Sequence, residues 1–132
     1  MNMPEELDLE LPPRTNAPYD APSAQELVEA VKFFISEELL DEVPSTQKWK
    51  LRIASNVLAI AAREIENYAT DKRSFDDFLS SLNMGSEQEL SLALRHGDFD
   101  NNLGTILTKL MPIFERKLLV ANPAYLLSEN NT

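Results

Sequence analysis

Residues 49–65 read W-K-L-R-I-A-S-N-V-L-A-I-A-A-R-E-I, and drawn on a 3.6-residue helix they leave no clean polar face. Trp49, Ile53, Val57, Ile60 and Glu64 fall along one side; Leu51, Ala54, Leu58, Ala62 and Ile65 fall along another. A helix apolar almost all round is expected to be covered on most sides, which makes this the central helix of its domain. Arg52, Ser55 and Asn56 lie inside that apolar field. Such residues bury poorly unless they are hydrogen-bonded or paired. The central helix therefore carries a polar spot that needs an explanation.

The segments around it also read as helices. Ser23-x-x-Glu26 after Pro22 is a capping box, in which each side chain satisfies a free backbone donor of the first turn. Leu27, Val31, Phe34, Ile35 and Leu39 follow at helical spacing and predict one buried stripe. Glu37, Glu38, Asp41 and Glu42 crowd the end of this helix, where the dipole disfavours negative charge. Pro44 and Ser45-Thr46 break the chain before the central helix, which is expected to end near Tyr68. Ala69 to Arg73 reads as a polar connection, followed by a short helix capped by Ser74 and Asp77 and carrying Phe75, Phe78, Leu79 and Leu82.

Asn83-Met84-Gly85 then suits a left-handed helix end. Ser86-x-x-Glu89 repeats the capping signal, and Arg95-His96-Gly97 suits a helix C-terminus. A last helix carries Leu103, Ile106, Leu107, Leu110, Met111, Phe114 and Leu118. Pro112 is expected to kink it and Asn122-Pro123 to stop it. The reading is an all-α, single-domain bundle of four to five helices with an extended N-terminal arm. The arm occupies 1–22, the helical domain 23–127 and a tail 128–132.

The arm holds five of the eight prolines and a net charge of −4, out of −10 for the chain. Leu7, Leu9 and Leu11 alternate with Asp8 and Glu10. That pattern is compatible with a flexible acidic arm, the favoured reading, or with leucines docked on this domain or a partner. A charge of −10 argues against nucleic acid and anionic membrane, which need a basic patch. The first residues lack the basic and apolar regions of a signal peptide, and no apolar run approaches the ~20 residues that span a bilayer. A cytoplasmic protein is the expectation.

Candidate chemistry is sparse. No cysteine is present, and His96 is the only histidine, so thiol nucleophiles and histidine metal clusters lack members. Asp98-x-Asp100-x-Asn102 resembles the start of a calcium loop, but the sixth and twelfth positions are Leu103 and Lys109 rather than glycine and a bidentate acid. That loop reads instead as a cap, with Asn101 or Asn102 at the start of the last helix. Three glycines do not make a phosphate-cradling loop. Neither metal nor cofactor is expected.

What remains is Arg52, Ser55 and Asn56, three to four apart on neighbouring turns, with Arg63 and Glu64 further along. They are read as a polar network fixing helix register, the favoured reading, or as a ligand-binding patch between helices.

Four blocks in order resemble a known family: A-P-S-A-Q-E-L-V-E-A-V (21–31), residues 49–65, R-H-G-D-F-D (95–100) and K-L-L-V-A-N-P-A-Y-L (117–126). The family is that of small bacterial helical proteins catalogued as domain of unknown function 6285. The matching motif positions are Arg52, Asn56, Arg63, Glu64, Arg95, Gly97, Asp100, Lys117, Asn122 and Pro123. Pro112 and the arm before Pro18 depart from the pattern. The resemblance implies a setting beside kinases like aminoglycoside phosphotransferases and enzymes like acyl-CoA dehydrogenases. The implied role is a non-catalytic accessory subunit of a hydroxyacyl-CoA kinase in acyl-CoA catabolism, with that phosphotransferase-like kinase as protein partner. Two alternatives stay open: a ligand-binding or enzymatic domain using Arg52 and Asn56, and a self-associating helical dimer whose apolar excess is the interface.

Overall fold

The computed structural model describes residues 16–129, the side chains as far as residue 127. Leu7, Leu9 and Leu11, the leucines of the arm, lie outside the described residues. Among the described residues every regular element is helical and none is a strand. The first rod begins as α1 (Ala24–Phe33), continues through a π-helical segment (Phe34–Leu39) and ends in α2 (Leu40–Glu42). Then come α3 (Lys48–Ser81), α4 (Glu87–Arg95), α5 (Leu103–Ala121) and α6 (Pro123–Glu129). With the first three pieces joined, the described residues make five helical rods.

Most boundaries follow the local chemistry. Ser23 Oγ accepts from the Glu26 N–H and the Glu26 carboxylate accepts from the Ser23 N–H, so the capping box forms. At the end of α3, Asn83 takes a left-handed φ of 57°. The Asn83 N–H donates to Ser80 and the Met84 N–H reaches back to Leu79. The end of α4 repeats this geometry around Gly97, whose φ is 80°, with the Asp98 N–H donating to Ala93. Both are Schellman ends, which satisfy carbonyls that the last turn leaves free. Ser86 caps α4 by accepting from the Glu89 N–H, and the Glu89 carboxylate accepts from the Gly85 N–H. Asn122 ends α5, and Pro123 opens α6 at the position where its missing N–H costs nothing.

Several expectations are corrected. Residues 69–73 are not a connection: α3 runs unbroken for 34 residues, roughly 50 Å. Ser74, expected to cap a new helix, instead donates its hydroxyl to the Thr70 carbonyl within α3. Asn102 stands at the N-cap of α5, but its side chain accepts no capping bond. Helix α5 also continues through Pro112, which offers no N–H to the Thr108 carbonyl.

A further correction concerns the helix expected to be most buried. Helix α3 packs against α1 along its first half and against α5 along its second. Phe78, Leu79 and Leu90 form the core, joined by Phe75, Leu82, Met84, Leu94, Phe99, Leu110 and Ile113. All six buried side chains lie between Ala62 and Ile106. No described residue before Ala62 is buried. Leu27, Val31 and Phe34 on the first rod, and Trp49, Ile53 and Val57 on α3, are each 49–56% exposed. A two-helix hairpin covers one side of each helix, and no other described element covers these exposed side chains.

Candidate functional site

The second half of α3 is tied to α5 by a polar seam. Arg63 Nε donates to the Val120 carbonyl at 2.8 Å. Asn67 Nδ2 donates to the Arg63 carbonyl at 2.8 Å, and Asn67 Oδ1 accepts from Arg116 at 2.9 Å. Arg116 also forks onto Asp71, at 2.7 Å from Nε and 3.3 Å from the terminal nitrogen. The hydrogen bond and the charge of Asp71 push the Arg116 pKa above its usual range, against the opposing effect of burial. The partners run 120 to 63 and 116 to 67 and 71, so α5 lies antiparallel to α3. Bidentate guanidinium–carboxylate pairing fixes orientation as well as distance.

Of the seam residues, the sequence reading named only Arg63. Arg63, Asn67 and Asp71 are each four apart on one helical face. That signal was present, but it crosses the stretch read as a connection.

The other candidates separate. Glu64 and Lys117 line an apolar groove of about 1050 Å³ between α3, α4 and α5, together with Tyr68, Phe75, Leu90, Leu94, Leu110, Ile113 and Val120. Arg95 ends α4 and is exposed. Asp100 sits over Gly97, where its Oδ2 would lie 2.7 Å from an added Cβ, so the R-x-G-x-x-D motif builds a tight turn. Asn122 is the C-cap of α5, and its carbonyl accepts from the Tyr125 N–H. His96 is exposed at the C-cap of α4. Among the described residues, no three His, Cys, Asp or Glu side chains gather as a metal site would need. No described helix is long and apolar enough to cross a membrane.

Arg52, Ser55 and Asn56 stand on the other half of the molecule. Arg52 and Asn56 are exposed, and none of the three side chains makes a hydrogen bond or ion pair among the described residues. They are not a buried network. They line a shallow cleft of about 340 Å³ with Lys32, Ile35, Ser36 and Leu40 of the first rod, at the π-helical segment. Lys32 and Arg52 are its charged groups, and no carboxylate lines it. The cleft can present two cations and neutral hydrogen-bonding groups to a small solute. Sequence spacing gave the α3 side of this cleft; the π-helical segment opposite had no recognisable signature.

The comparisons with known proteins bear on the same residues. No curated protein and no solved structure matches the chain. The family model described as domain of unknown function (DUF6285) matches residues 41–125. The matched span takes in the cleft residues on α3, the seam, the Gly97 turn and the groove, and leaves out the block 21–31 on α1. With the model matching well over half of its length, the chain belongs to the DUF6285 family.

Proposed function

We propose that the protein is a non-catalytic binding subunit that holds a kinase-like phosphotransferase of acyl-CoA catabolism. One observation carries the binding role. Leu103, Leu107, Met111 and Phe114 recur at i, i+4, i+8 and i+11 on α5 and are all exposed. Such a stripe is the pattern by which one helix anchors in the groove of another protein. Exposed apolar side chains scattered singly need no explanation, but a contiguous row is the mark of an interaction surface. It adjoins the apolar groove, whose rim carries Lys72, Arg116 and Lys117 among Glu64, Asp71, Glu87 and Glu115. The mixed rim suits a protein surface with charges of both signs. The partner class comes from the family setting that the sequence motifs imply.

The direct test is co-purification of the full chain with the neighbouring kinase-like protein, using a Leu107→Asp/Met111→Asp variant as control. Association of the native chain and its loss in the variant supports the reading. No association, even with acyl-CoA present, contradicts it.

The cleft supports a second reading, binding of a small anion by Lys32 and Arg52. Because Arg52 is exposed, Arg52→Ala should leave the melting temperature unchanged. Ligand binding lost at constant stability favours a site, whereas a large loss of stability favours a strut.

A further inference from the structure

The hairpin of the first rod and the first half of α3 is half of an interface. We infer that two copies of this chain pair through their hairpins, α1 of one copy lying against α3 of the other, to close a four-helix bundle. This inference does not rest on the docking stripe of α5, which lies on the other half of the molecule.

Surface area is the first support. The accessible surface is 10,860 Å². Even if the 18 residues outside the described range are granted the area of an unfolded chain, about 3,000 Å², the rest expose about 7,900 Å². A compact domain of their mass exposes about 6,300 Å². The excess of about 1,600 Å² belongs to the whole molecule, the α5 stripe included, and reaches the area that one copy buries in an obligate homodimer.

Register is the second support. The α3 stripe of Trp49, Ile53, Val57 and Ile60 continues at the same spacing through Asn67 and Asp71 to Phe75 and Phe78. From Asn67 onward α5 covers this stripe through Arg116 and the core. Before it, the same face is left largely open by the described residues: Trp49, Ile53 and Val57 are each more than half exposed. The stripe needs another helix with apolar residues at the same spacing, and Leu27, Val31 and Phe34 on the first rod supply one. On a two-fold axis each stripe meets the other twice.

Charge chooses the occupant. Residues 24–42 carry six acids and Lys32, a net −5. Residues 48–63 carry Lys48, Lys50, Arg52 and Arg63 and no acid, a net +4. Among the described residues no ion pair joins α1 to α3 within the chain, so these charges, apart from Arg63 with its bond to the Val120 carbonyl, are open to a partner. An acidic helix and a basic helix in one hairpin are self-complementary when two hairpins stack crosswise. Four helices around shared apolar stripes are a standard bundle.

The test uses the full chain, by light scattering over a wide concentration range. The expected mass is twice 14.9 kDa. Ile53→Asp should weaken pairing by at least about a hundredfold, because it places an unpaired charge in the seam. Ile53 is exposed in the single chain, so the variant should keep its cooperative unfolding and run at 14.9 kDa. The chain has no cysteine of its own, so Val31→Cys mixed with Val57→Cys reads the pairing directly. The cross-linked mixed dimer should exceed either self-linked species. A native chain of 14.9 kDa at every concentration overturns the inference. So does a dimer indifferent to Ile53→Asp, a mixture that links no better than its components, or a hairpin covered only by the kinase-like partner in a one-to-one complex.

Discussion

The two halves of the molecule share one helix and differ in everything that helix touches. Around residues 62–81, α3 meets α5 and the core, with a polar seam on its flank and Schellman turns at the ends of α3 and α4. Around residues 48–61 it packs along the first rod, and no side chain there is buried. Both stretches are rich in apolar residues, so composition does not separate them; the number of covering helices does. Burial belongs to the assembly rather than to the segment. The second half has its covering elements among the described residues, and the first half does not.

The largest difference should appear on truncating core side chains. Ile106, 2% exposed, and Leu79 should each lose about 2–5 kcal/mol on replacement by alanine, read by thermal unfolding. Val57→Ala should cost well under 1 kcal/mol in the monomeric Ile53→Asp background, because its side chain is already half in water. Equal costs at the two sites would erase the contrast.

Next is the turn after α4. Gly97→Ala puts a side chain at φ 80° and its Cβ 2.7 Å from Asp100 Oδ2, so about 1–2 kcal/mol should be lost. A Gly97→Ala/Asp100→Ala variant should recover the part due to the clash and keep the part due to the backbone. Arg116→Ala should cost about 1 kcal/mol by opening the seam, a modest figure because the pair is partly solvated. It should loosen α5 without touching the hairpin, which amide exchange would resolve.

Smaller still is Ser23→Ala, expected to cost at most about 1 kcal/mol and to be felt only at the start of α1. The smallest effect belongs to Lys72, whose pKa is raised by its hydrogen bond to Asp76. A raised pKa means that its contribution is complete below the ordinary lysine range and fades as pH rises through the folded value. That pair is exposed, so Lys72→Gln should matter only slightly at neutral pH, and its difference from the native chain should vanish in strongly alkaline melts.

These cases also explain what the sequence disclosed. Helix ends were legible because their causes are local: Ser23 with Glu26, Asn83, Ser86, Gly97 and Asn122-Pro123 act within a few residues. The continuity of α3 was not, because the polar run after Tyr68 is supported by Asp71 pairing with a residue 45 positions away. Burial of residues 49–65 was misjudged for a related reason. Apolar periodicity states which faces seek cover, and a single chain need not supply it. Of the candidate site, Arg52 and Asn56 were visible from spacing, whereas their neighbours Lys32 and Ser36 come from the end of α1 and the π-helical segment of another rod.

Amide hydrogen exchange of the full chain at low and high protein concentration tests the contrast most directly. Strong, concentration-independent protection is expected across residues 62–81 and the middle of α5. In the hairpin, protection should be weak in dilute protein and rise as the concentration does. Equal protection of both halves, unchanged by dilution, would contradict the claim that the hairpin is completed only by a second copy.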